Sequence, residues 1–388
     1  MSETKKQNLY FPGLNGLRFV AASLVIISHI ERFKKEEHLG NLDDITLFGT
    51  AGEYGVGLFF VLSGFLITYL LLQEDKTTGS IHIRQFYIRR ILRIWPLYYL
   101  LVFLSFFILP WCMETSGAEN ALRHAYWSKF GLFMFFLPNL SLKVFPPVPF
   151  LSQAWSVGTE EQFYLVWPFL LKRFKKILPV LLGCIAIGMI LFRKLLVVIC
   201  AHMSSGTLNH ILAVIGDFMD TFNIECMAIG GLGAWVLFTG KKQILRLLFH
   251  PVAQLILLAG LCISLPTACF GHVKSRYIVN SLLFAGLILN LAANPKSLLK
   301  LENSFFRFMG RISYGLYMFH AICFYLVYYL FRNSFSGSLS VNIILYVGTF
   351  LLTICMAWLS YEFMEKRFLR KKKNFSLILS GEQGGEQA

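Results

Sequence analysis

Two side chains able to do chemistry sit in one apolar stretch. Arg18 and His29 lie within Phe11–Ile30, FPGLNGLRFVAASLVIISHI. A guanidinium forks onto carboxylate or phosphate oxygens. A neutral imidazole takes a proton from a hydroxyl at ordinary pH. On a helix, 11 residues of separation is roughly 16 Å of rise and a rotation that returns to within ~20° of the same face. The spacing therefore predicts a cation and a base on one stripe of a helix whose other residues are mostly apolar. Ionisable groups in such a helix are costly in a membrane and usually face an interior or a wet cavity. The plainer reading is an arginine snorkelling to lipid phosphate and an interfacial histidine bonded to a carbonyl. Glu31 follows at i+2 from His29, points elsewhere, and reads as a rim charge.

Other segments offer matching groups. In FYIRRILRIWPLYY, Arg90 and Arg93 are i,i+3 and share a face, with Arg89 adjacent. By composition the favoured reading is positive-inside charge and lipid headgroup binding; the sharper one is a cradle for the phosphates of a soluble, cytoplasmic donor. In AWSVGTEEQFYLVWP, Trp155 and Ser156 precede Glu160 and Glu161. The two acids point about 100° apart, so at most one should face the interior. One could orient an imidazolium or an arginine; the plainer role is to complement a helix N-terminus. In MGRISYGLYMFH, His320 has Ser313 and Tyr317 on its own face. In GEYGVGLFFVLSGFLIT, Gly55, Gly57 and Gly64 leave room for a close helix or ligand.

The elements that must carry these groups are membrane helices. Of 388 residues, 56% are hydrophobic and only 15% charged, with 38 Phe. That composition predicts an all-α, polytopic membrane bundle. About ten segments approach the ~30 Å of a hydrocarbon core: 12–31, 54–73, 92–111, 155–171, 177–199, 221–239, 251–270, 277–293, 313–331 and 342–362. The net charge of +15 lies in short basic runs between them. This is the pattern of loops held on the cytoplasmic side, not of nucleic-acid binding. With that count, both termini are cytoplasmic. Tyr126–Leu142, broken by Pro138, reads as interfacial or re-entrant. The eight cysteines show no metal spacing, so no metal site is expected. Residues 1–369 form the membrane domain, with no evident internal repeat, and 370–388 read as a disordered cytoplasmic tail.

Taken together, the segments GLNGLRFVAASLVIISH, GVGLFFVLSGFLIT, IRRILRIWP, WSVGTEEQFYLVWP and ISYGLYMFH resemble the acyltransferase 3 family of integral membrane O-acyltransferases. YEFMEKRFL resembles that family's closing helix. Each motif alone is unspecific; their common order along nearly the whole chain is what carries the likeness. Val157 stands where many members have Leu, and the family's optional hydrolase-like extracellular domain has no counterpart here.

The resemblance implies that His29 is the essential histidine and that Trp155, Ser156 and Glu160 or Glu161 form the family's tryptophan-serine-acid motif; Glu160 and Glu161 are counted with His29 as catalytic candidates. It implies that Arg18, Arg90 and Arg93 bind the donor, acyl-CoA and commonly acetyl-CoA. Trp155, Ser156 and His320 are assigned to the substrate. The implied reaction moves an acyl group to a hydroxyl of a surface glycan or lipid-linked saccharide at the inner or plasma membrane, directly or through an acyl-histidine. The partners are then membrane lipid, acyl-CoA and the saccharide, with no nucleic acid. A transporter of glycans or acyl groups would also want intramembrane His and Arg. Coenzyme A consumption discriminates the two.

Overall fold

The computed structural model describes residues 7–112, 122–202, 206–267, 273–334, 337–376 and 378–380. In chain order the helices are α1 Leu14–Glu36, α2 Thr46–Thr78, α3 Ile83–Phe103, α4 Tyr126–Met134, α5 Pro138–Val144 and α6 Ala154–Phe174. They continue with α7 Leu178–His202, α8 Thr207–Thr221, α9 Ile224–Phe238, α10 Lys242–Phe249, α11 Pro251–Thr267 and α12 Val273–Ala293. The last are α13 Ser304–Arg311, α14 Ser313–Phe331, α15 Ser338–Ile343, α16 Thr349–Ser360 and α17 Lys366–Asn374. Wider π turns prolong α3 at Leu104–Ile108, join α15 to α16 at Ile344–Gly348, and join α16 to α17 at Tyr361–Glu365.

Each expected membrane segment falls mainly on helix, with 268–270 of the segment 251–270 outside the described residues, and the protein is an all-α, multi-pass membrane protein. Among the described residues, seven helical runs are long and apolar enough to cross, or eight if the pair Lys242–Phe249 and Pro251–Leu265, bent by 67°, is one span. The number is below ten for identifiable reasons. Segments 155–171 and 177–199 share the run Ala154–His202, and Tyr277–Ala293 is apolar but short. Tyr126–Val144 is not among these runs. It forms two short helices, and Phe136 between them has a left-handed backbone, φ 57°. The loop is stapled inward: the Tyr98 and Tyr99 hydroxyls donate to the Phe133 and Met134 carbonyls at 2.8 and 3.0 Å. Its irregular backbone is thus covered by protein.

Helix α2 runs through the centre, and α1 and α9 pack on it. Where α2 crosses α9, two glycines let backbone meet backbone. A Cβ on Gly64 would lie 2.0 Å from the Met227 carbonyl oxygen, and one on Gly230 would lie 2.0 Å from that of Val61. This is the close approach that small residues allow between membrane helices. A Cβ on Gly57 meets only ordinary contacts at 3.8 Å.

The start of α1 is set by Gly13, φ 73°, whose amide donates to Glu302 Oε2 at 2.7 Å. The Tyr10 hydroxyl donates to the same carboxylate, and burial together with Glu302 raises the phenol above its ordinary range. Just before this, Gln7–Leu9 forms β1, which pairs in parallel with β2, Ile378–Ser380. The first and last spans therefore open on the same face of the bundle. Of the expected tail, 370–374 continue α17 and 378–380 form β2, while 377 and 381–388 lie outside the described residues.

Candidate active site

Helix α1 carries the site at two levels. Near its start, Arg18 lies in the electrostatic field of Arg93, Arg90, Tyr164 and Glu160. These come from α3 and α6, so three helices converge on one cluster. Arg18, Arg90 and Arg93 are all half-buried. None has an ion pair or hydrogen bond to its guanidinium among the described residues, and Arg90 Nε is buried without a partner. Arg90 rests over the rings of Phe86 and Tyr164, 5.7 and 5.8 Å from their centroids. Arg89, next in sequence, turns the other way. It donates to Glu74 at 2.7 Å and to the Phe375 carbonyl at 3.0 Å.

Both acids of α6 point into the bundle, where the 100° separation suggested one. Glu160 accepts from Ser63 on α2 and from Tyr164, each at 2.8 Å. Glu161 accepts from the Trp95 indole of α3 at 3.0 Å, while its Oε1 has no partner. The expectation failed because α6 is flanked by α2 on one side and α3 on the other, so two neighbouring faces are both interior. Both carboxylates bond neutral donors, so neither cancels the arginines by direct pairing.

Higher on α1, His29 Nδ1 lies 2.8 Å from His320 Nε2 of α14. His320 is fully buried, 0% exposed, whereas His29 is half-buried. The second nitrogen of His320, Nδ1, lies 2.6 Å from the Tyr317 carbonyl oxygen. A carbonyl only accepts, so His320 Nδ1 carries the proton and neutral His320 offers a bare Nε2. His29 Nδ1–H donates to it. His29 Nε2 is left with its lone pair free, on the ring that retains access. The arrangement fixes the His29 tautomer by hydrogen bonding at the opposite nitrogen.

The remaining expected residues divide. Ser156 is buried, and its hydroxyl is 2.6 Å from that of Tyr317, which donates to the Gln153 carbonyl at 2.9 Å. This chain ties α6 to the turn of α14 that bears His320. Trp155 is half-buried and packs edge-on against Phe60 of α2. Glu31 is no rim charge. It is 0% exposed and accepts from Lys34 at 2.7 Å, from Tyr346 at 2.6 Å and from the Leu42 amide. A loop folded over the end of α1 covers it, which its position in sequence did not reveal.

Sequence reasoning missed Ser63, Trp95 and Tyr164, and placed Tyr317 only on the face of His320. Each is a polar side chain in an apolar run, and that was the available signal.

Residues 11–362 match the family described as Acyltransferase domain, the acyltransferase 3 model. The O-acetyltransferase OatA of Staphylococcus aureus strain NCTC 8325 / PS 47 is 28% identical over 378 residues, which is 94% of this chain and 58% of that protein. OatA of strain COL aligns with the same identity and coverage. The chain thus spans less than two thirds of these relatives' length. No solved structure matches. With the family's match running from the start of α1 to the end of α16, through every helix that lines the two-level site, the chain belongs to the acyltransferase 3 family.

Proposed function

We propose that this protein is a plasma-membrane O-acyltransferase that moves an acyl group, commonly acetyl, from acyl-CoA to a hydroxyl of a surface glycan or lipid-linked saccharide. The name of the OatA relatives supports O-acetyl transfer. The observation that carries the mechanism centres on α1: its Arg18 joins Arg90 and Arg93 of α3 in an unpaired cluster at one level, and its His29 is a tautomer-fixed histidine at the other.

The residues present fit an anionic donor. Arg18, Arg90 and Arg93 hold positive charge without ion-pair partners among the described residues, and Arg90 Nε is an orphaned buried donor. Such groups bind phosphate oxygens through charge-assisted hydrogen bonds. Their level on α1 matches the basic end of the bundle, where Lys172 reaches the Ile81 carbonyl at 3.2 Å beside the start of α3. That end faces the cytoplasm in this reading, with both termini.

Bound acyl-CoA supplies an activated carbonyl as a thioester. His29 Nε2 takes the proton of the acceptor hydroxyl as that oxygen bonds to the carbonyl carbon. The resulting imidazolium is held by His320 and returns the proton to the departing sulfur. Proton and leaving group are thereby balanced. His320 acts as a positioning residue through His29. Ser156 and Tyr317 hold the segment of α14 from which His320 projects. Glu160 and Glu161 set the field around the arginines.

The test is His29→Ala in cells. Ester-linked acyl groups on the surface polysaccharide should disappear, by mass spectrometry, with protein level and membrane insertion unchanged. Acyl groups retained in full would remove His29 as the base.

A further inference from the structure

The basic run near the end of the chain, KRFLRKKKN, contains Lys371, Lys372 and Lys373 in succession. Arg370, Lys371 and Lys373 are exposed, but Lys372 is half-buried and turned toward the bundle. Helix α17, which carries it, packs on α3. The π turn Tyr361–Glu365 before α17 inserts extra backbone into the turn, which resets the helical register. In that turn Glu365 is buried, accepts from Ser360 at 2.9 Å and lies in the field of Arg93.

The strongest charges acting on Lys372 are all positive: Arg93, Arg90, Arg89 and Arg18. Its ammonium has no ion pair or hydrogen bond among the described residues. Ordinarily such a lysine would extend to water, as its neighbours do. Instead the chain beyond it is fastened down. The Phe375 carbonyl accepts from Arg89 at 3.0 Å, the Ser376 hydroxyl donates to the Lys372 carbonyl at 3.0 Å, and Ile378–Ser380 pairs with Gln7–Leu9. Between this segment and α2 and α3 lies a cleft that opens to solvent. Leu71, Glu74, Arg89, Arg90, Lys372 and Ser376 are among its lining residues.

We propose that Lys372 is a direct ligand of the donor's phosphoryl groups, and that the fastened C-terminal segment 366–376 is a wall of the donor site. Four converging cations, Arg18, Arg90, Arg93 and Lys372, call for a ligand with several negative charges. A single lipid phosphate would leave most of them unmatched. The inference rests on the acyl-CoA reading above and adds a residue and a chain segment to it. Lys372 contributes a point charge with three donors, so arginine serves in its place better than glutamine does.

The experiment is equilibrium binding of radiolabelled acetyl-CoA to the full-length protein in nanodiscs, for wild type and for Lys372→Gln, Lys372→Arg, Lys371→Gln and Arg90→Gln. Loss of a charged hydrogen bond should weaken binding by about tenfold or more in Lys372→Gln. Lys372→Arg should keep most of the affinity, and Lys371→Gln should bind as wild type. Equal affinity of Lys372→Gln and wild type, with Arg90→Gln weakened, overturns the assignment of Lys372 while the donor reading stands. Equal weakening in Lys371→Gln and Lys372→Gln also overturns it, since the effect is then diffuse surface charge. Wild-type protein that binds no acetyl-CoA overturns both.

Discussion

His29 and His320 share one hydrogen bond of 2.8 Å, and of the two only His29 is not fully buried. The direction of that bond follows from the Tyr317 carbonyl behind His320. One buried histidine thereby decides which nitrogen of the other is basic.

Removing His320 should cost turnover rather than donor affinity. Without the acceptor at Nδ1, His29 loses its fixed tautomer, and kcat should fall on the order of 10–100-fold, within what general-base catalysis contributes. KM for the acyl donor should stay within a factor of about two, because the arginines lie a level away. His320→Gln, which can still accept from His29, should recover part of the kcat lost in His320→Ala. Steady-state kinetics with acetyl-CoA reads both constants; a rise in KM alone contradicts the positioning role.

The arginines should behave in the opposite way. Arg93→Gln should raise KM for acetyl-CoA by about tenfold, the scale of one charged hydrogen bond, with little change in kcat. Added salt should weaken the wild type more than the variant. A variant with unchanged KM and lowered kcat would place Arg93 outside donor binding.

Glycine should matter at the helix crossing and not two turns earlier on the same helix. Gly64→Ala places a methyl against the Met227 carbonyl, 2.0 Å from its oxygen, so α2 and α9 must separate. Overpacking of this kind costs ~1–3 kcal/mol. Gly57→Ala meets contacts of 3.8 Å and should be neutral. Thermal melting followed by fluorescence-detected size exclusion checks the pair; equal melting of both variants contradicts the crossing.

Arg193 of α7 and Glu225 of α9 form a buried fork, with contacts of 2.5 and 3.1 Å. The guanidinium also caps the Met219 and Phe222 carbonyls at 2.8 and 2.7 Å. Arg193→Ala leaves Glu225 buried and unpaired, and should cost ~3–5 kcal/mol. Arg193→Met combined with Glu225→Leu should restore much of that loss. The same melting assay measures it, and a double variant no more stable than the single one contradicts the account.

The α1 stripe was legible because helical period alone aligns Arg18 with His29, whatever the neighbours. The convergence of Arg90 and Arg93 on it followed from their i,i+3 spacing and the basic end they share. What stayed hidden depends on partners far away in sequence. Glu160 and Glu161 both face inward because two different helices flank α6. Gly57 and Gly64 carry the same signal in sequence, and only the position of α9 separates them. Glu31 reads as a rim charge until the loop bearing Leu42 folds over it. Lys372 is indistinguishable from Lys371 and Lys373 by composition, because the π turn ahead of α17 decides which lysine turns inward.

The central claim is that His29 is the base for acyl transfer to a saccharide hydroxyl. Mass spectrometry of surface polysaccharide from cells producing wild type or His29→Ala, matched for membrane-inserted protein, tests it most directly. The account expects the labile ester mass in the wild type and its loss, by ~10²-fold or more, in the variant. Ester at wild-type abundance in His29→Ala cells would contradict it.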